Sequence, residues 1–83
     1  LERLADCPAF AAWRLRPGTG AIGRHTEARV RTLHGIAGTA ELEWDGGRLT
    51  LPRGHSALLP AVLGPWRVRG ADAVLVEATP GDG

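Results

Sequence analysis

Glycine and proline interrupt this 83-residue chain so often, at twelve and six positions respectively, that long regular helices have no room to form. No stretch of about 11 residues repeats its apolar side chains at helical spacing. The one exception is a first turn around Leu1, Leu4 and Ala5, which Pro8 would end. Breaks at intervals of roughly 8 to 12 residues are the rhythm of short antiparallel strands in a sandwich or barrel.

Period-two alternation marks the strands themselves. Over residues 10–16, Ala11, Trp13 and Leu15 share one face and Arg14 and Arg16 the other, so Trp13 should point inward before Pro17-Gly18 closes the segment. Residues 19–27 are glycine-rich and polar and read as a loop, and 28–34 as a strand. The strongest signal is Ala40, Leu42 and Trp44 alternating with Thr39, Glu41 and Glu43. Asp45-Gly46-Gly47 then supplies residues that tolerate positive φ, and Leu49 and Leu51 alternate with Arg48 and Thr50, which specifies a hairpin. Glu41 or Glu43 is placed to face Arg48 or Arg53 across it.

Pro52-Arg53-Gly54 predicts a turn, 55–59 a strand ended by Pro60, 66–69 a strand with Trp66 and Val68 on one face, and 73–78 a strand covered on both faces. Pro80 to Gly83 reads as a tail. The expectation is an all-β, antiparallel jelly-roll or barrel of about seven strands, a single domain over 1–83.

Composition narrows the function classes. The net charge of +1, with ten arginines and no lysine interspersed among nine acids, is too small for the field that nucleic acid or an anionic membrane requires. No apolar run approaches the roughly 20 residues of a membrane span, and no basic-then-apolar leader opens the chain. One cysteine, Cys7, cannot form an internal disulfide, which points to a reducing, cytoplasmic setting. Hydrophobic content of 43% rests on Ala, Val and Leu, with Phe10, Trp13, Trp44 and Trp66 as the aromatic anchors. The chain starts at Leu1 and contains no methionine, so a fragment of a longer protein is expected.

Three segments occur in an order that resembles a known family. They are Gly38-Thr39-Ala40-Glu41-Leu42, residues 49–61 (LTLPRGHSALLPA), and Trp66-Arg67-Val68-Arg69-Gly70. With the opening Leu4-Ala5-Asp6-Cys7-Pro8-Ala9-Phe10, this pattern resembles the carboxy-terminal cupin domain of bacterial type I mannose-6-phosphate isomerases. The resemblance implies a cupin jelly-roll whose parent enzyme interconverts mannose 6-phosphate and fructose 6-phosphate with zinc. It also implies that the zinc and the catalytic groups belong to an amino-terminal cupin domain, so no cofactor and no catalytic residue are expected within these 83 residues.

Aligned on Gly38 and on Pro52-Arg53-Gly54, the metal-ligand positions of cupins fall on His25, Glu27, Arg31 and Ala57. Only His25 matches in kind. Arg31 brings a cation where a carboxylate is needed and Ala57 brings no donor, which leaves His25 and Glu27 as weak metal candidates. His34 and His55 read as surface or structural histidines. Ser56 has no His and acid in a nucleophile-elbow pattern, and Cys7 lacks the charged neighbours of a reactive thiolate. The run from Gly18 to Gly23 superficially resembles a phosphate loop, but neither a lysine nor a helix follows it.

Arg29, Arg31, Arg67 and Arg69 are the remaining positive feature. Converging at a barrel mouth, they would suit a sugar phosphate or small anion; otherwise they are a solvated face. Three functions are therefore weighed. One is a non-catalytic accessory domain that packs on the catalytic domain of a larger isomerase or forms a homodimer. Another is a stand-alone module that holds a sugar or small anion. The third is an atypical metal-dependent cupin enzyme using His25, Glu27 and His34 or His55.

Overall fold

The computed structural model describes residues 2–6 and 10–80. Cys7 and Pro8, the side chain of Phe10, and 81–83 lie outside the described residues. Among the described residues nine strands run in the order β1 (Glu2–Asp6), β2 (Phe10–Leu15), β3 (Gly18–His25), β4 (Arg31–Ala37), β5 (Thr39–Trp44), β6 (Gly47–Pro52), β7 (Ser56–Leu59), β8 (Pro65–Gly70) and β9 (Val74–Pro80). A 3-10 turn, Ala61–Leu63, separates β7 from β8. All pairings are antiparallel, in a five-stranded sheet β1-β2-β9-β4-β7 and a four-stranded sheet β3-β8-β5-β6. The result is an all-β, antiparallel jelly-roll.

Alternation places the core between the two sheets. Leu15, Leu33, Leu59 and Leu75 from the larger sheet meet Ala40, Leu42, Leu51, Trp66 and Val68 from the smaller, with Trp13, Ile22 and Trp44 packed against them. Trp13 points inward, as its spacing predicts. The β5–β6 hairpin has the expected register, from Thr39↔Pro52 to Trp44↔Gly47. Asp45 and Gly46 form its turn, with Gly46 at φ 106°. The acids of β5 do not use Arg48, however. Glu43 pairs with Arg69 at 3.0 Å and Arg67 at 3.6 Å on β8, and Glu41 accepts from Thr50.

Two segments depart from expectation, and together they raise seven strands to nine. The predicted helical turn at the start is β1, in register with β2 through Glu2↔Arg14 and Arg3↔Trp13. One helical turn fixes several dihedral angles for a single hydrogen bond, whereas the open edge of β2 offers a ladder. The predicted loop 19–27 is mostly β3, drawn into the edge of β8 despite three glycines. Strand β4 begins later than 28, because Glu27 and Ala28 have left-handed backbones. Pro80 closes β9 rather than opening a tail.

Gly38 is fixed by a close approach. Gly38 sits at φ 65°, and a Cβ there would run into the Asp72 backbone. Gly38→Ala should therefore cost about 2 kcal/mol or more. Gly20→Ala, with nothing within 4 Å of a Cβ, should be neutral or slightly stabilising. Urea unfolding of the two variants beside the parent checks the contrast.

Candidate functional site

In β9 the inward positions are Leu75, Glu77 and Thr79, so strand geometry carries a carboxylate into the core register. Glu77 is opposite Trp13 of β2 on one side and Leu33 of β4 on the other. Facing it from the smaller sheet is the row Arg24, Trp66 and Trp44. An ionised carboxylate removed from water costs several kcal/mol unless donors surround it. Glu77, 0% exposed, has them. Arg24 donates from Nε to Oε1 at 2.8 Å and from a terminal nitrogen to Oε2 at 3.0 Å, and Arg31 donates to Oε2 at 2.8 Å. Both guanidinium groups stand over the Trp13 ring, 5.0 and 5.4 Å from its centroid, within cation–π range.

The second arginine is anchored from behind. Arg31 Nε donates to the Thr26 carbonyl at 3.2 Å, and Thr26 is itself fully buried. The Thr26 hydroxyl donates to the Ala61 carbonyl and accepts from the Gly64 N–H, while its own N–H donates to the Gly64 carbonyl. This clasp ties the end of β3 to the 3-10 turn and fixes the carbonyl that holds Arg31.

Beside the cluster opens a cavity of about 730 Å³, with Arg24, His25, Glu27, Trp44, Asp45 and Trp66 among its lining residues. At its rim Glu27 and Ala28 adopt φ of 54° and 59°, a conformation costly for side-chain-bearing residues. The His25 ring stabilises it, because Nδ1 accepts the Glu27 N–H at 2.8 Å. Trp66 Nε1 is buried without a hydrogen-bond partner, an omission that typically costs about 1–3 kcal/mol.

The arginines singled out in the sequence do not come together. Arg31 lies inside the barrel. Arg67 and Arg69 are exposed on the outer face of the smaller sheet, paired with Glu43, and Arg29 is exposed and donates to the Pro80 carbonyl at 3.3 Å.

The four aligned metal-ligand positions do not fit a divalent metal either. His25 spends Nδ1 on a backbone N–H, the Glu27 carboxylate is 74% exposed, Arg31 is held in an ion pair, and Ala57 has no donor. His34 is on the outer face of the larger sheet, 2.7 Å from Ser56 Oγ, and His55 is exposed at a turn. Among the described residues no three His, Cys, Asp or Glu side chains converge as metal ligands would. The glycines 18–23 lie in or beside the β3 ladder, with no helix following them.

Sequence reasoning misses Arg24, Glu77 and Thr26. The available signal is Glu77 itself, an acid at an alternate position of an otherwise apolar strand.

Comparison with solved structures identifies the fold. A candidate mannosephosphate isomerase from Archaeoglobus fulgidus superposes with a TM-score of 0.82 at 22% identity, over 93% of this chain and 25% of that one. EutQ from Clostridium difficile gives 0.79 at 14% identity, over 98% and 66%. KdgF from a Halomonas species gives 0.75 at 14%, over 95% and 76%. The chain thus spans a quarter of the Archaeoglobus protein's length. No family model matches the sequence, and no curated protein matches it significantly.

The clasp yields a direct test. Thr26→Val keeps the shape but leaves the Gly64 N–H and the Ala61 carbonyl without that hydroxyl, and should cost about 2–3 kcal/mol. Thr26→Ser should retain most of the stability. Denaturant midpoints of the two variants decide it.

Proposed function

We propose that this chain is a non-catalytic cupin domain of a larger protein resembling mannose-6-phosphate isomerases. In that reading it stabilises and packs on a catalytic domain that holds the zinc and interconverts mannose 6-phosphate and fructose 6-phosphate. The observation that carries the proposal is the filling of the barrel. Where metal-binding cupins place their ligands, this chain has Arg31 and Ala57, and Arg24, Arg31 and Trp13 close around Glu77. The match to one quarter of the Archaeoglobus protein at high structural similarity supports a part of a larger whole. So does the outer face of the larger sheet, where Ile36 and Leu58 are 53% and 65% exposed beside Thr32, Val76 and Ala78.

The purified chain, freed of chelator and offered zinc, iron, nickel or manganese, should retain well under one equivalent of metal by elemental analysis. It should not turn over mannose 6-phosphate. About one bound equivalent together with metal-dependent turnover would replace this reading with that of an atypical cupin enzyme.

The cavity of about 730 Å³ favours a second reading, a module that binds a sugar or small anion between Trp44 and Arg24. Mannose 6-phosphate, mannose and inorganic phosphate at millimolar concentration should then raise Tm in a saturable way. No shift with any of the three removes that reading.

A further inference from the structure

We propose that the interior of this barrel is a carboxylate-binding site, formed by Arg24 and Arg31 over Trp13, and that the chain fills it with its own Glu77 as a resident ligand. The inference goes beyond the accessory role and does not depend on it.

The cluster has the parts of an anion receptor. Arg24 presents the two-point fork that matches a carboxylate, with contacts of 2.8 and 3.0 Å to the two oxygens. Arg31 adds a third donor at 2.8 Å. Neither arginine depends on Glu77 alone for its position. Arg31 is bonded to the Thr26 carbonyl, and both guanidinium groups lie on the Trp13 ring. The receptor is also dry. The Arg31 side chain is 4% exposed and that of Arg24 17%, so their attraction for an anion is little screened.

Two buried arginines against one buried glutamate leave the interior a net positive charge, which the Glu27 carboxylate, 74% exposed and 3.9 Å from Arg31, offsets only from the solvent side. Taking the glutamate away would set two unscreened cations side by side, and an anion is what that arrangement then requires.

The connection between Glu77 and its backbone defines the ligand class. Shortening glutamate to alanine removes the Cγ carbon and the carboxylate, a fragment with the size and charge of acetate. The vacated space is therefore shaped for a small monocarboxylate. Arg24 also lines the neighbouring cavity, which gives that ion a way in.

The test is chemical rescue. Glu77→Ala should unfold at a lower temperature than the parent in chloride. At matched ionic strength, about 100 mM acetate should shift its folding equilibrium roughly tenfold and raise Tm by about 5 °C or more. Formate should act similarly and butyrate should not. The parent, whose site is filled, should not respond to acetate beyond chloride. Glu77→Gln, whose amide occupies the space, should not be rescued. Glu77→Ala combined with Arg24→Met should lose the rescue.

If Glu77→Ala does not fold in chloride, recovery of native circular dichroism on dilution from urea into acetate is the same readout. Equal effects of acetate, chloride and butyrate overturn the proposal. So does rescue that persists without Arg24, and so does failure to fold in every anion. Because none of these readouts involves metal or turnover, the outcome is independent of whether the domain is catalytic.

Discussion

An ionised side chain with no access to water dictates the positions of everything that must neutralise it, and Glu77 is that side chain here. It sits on β9, the middle strand of the five-stranded sheet, with its backbone committed to ladders on both sides. The carboxylate must therefore find its partners among side chains, across the barrel and beside it. Arg24 reaches it from β3 of the opposite sheet and Arg31 from β4 of its own. Trp13 gives both cations an electron-rich face, and Thr26 holds Arg31 from behind. Three side chains, from β2, β3 and β4, and one backbone carbonyl thus answer to one charge.

Such a cluster is not the cheapest way to stabilise a small barrel. Well-packed apolar residues of the same volume are often as stabilising as a buried ion network, or more so. What ions add is intolerance of alternatives. A one-residue slip of β9 would carry Glu77 to the outer face and bring Val76 inward, leaving two arginines buried without an anion. In a core made largely of Ala, Leu and Val, where many registers fill space about equally well, that penalty selects one. The outer faces follow the same division of labour. The smaller sheet is covered by the Glu43, Arg67 and Arg69 network, which suits water, while the larger sheet leaves Ile36 and Leu58 bare.

What the sequence reveals follows from the range of the interactions involved. The β5–β6 hairpin is legible because alternation and turn chemistry are local, and Asp45-Gly46 needs no distant partner. Strands β1 and β3 are not, because their own residues favour a short helical turn and a loop. Only the edges of β2 and β8, set by the rest of the fold, make them strands. The site is hidden for a related reason. Arg24 falls in the segment read as a loop, Glu77 in a run read as buried on both faces, and the two are 53 residues apart. Arg31 is identifiable in the sequence as a position where a cation replaces an expected ligand, but not as one half of a pair.

That replacement reverses the usual roles in a barrel of this shape. A metal-bearing interior places a cation at the centre and arranges carboxylate and imidazole donors around it. Here the cations are covalent parts of β3 and β4, and the group at the centre is the anion, supplied by β9. Both arrangements cancel buried charge across the barrel, but only the first must recruit its central ion from solution. A domain that carries both signs in its own sequence can neutralise this buried charge during folding, without waiting for a ligand. Guanidinium groups suit the task better than ammonium groups would, since one arginine can grip both carboxylate oxygens while its plane lies over an indole. What the buried charges supply at the centre is a fixed register and a site matched to one small anion.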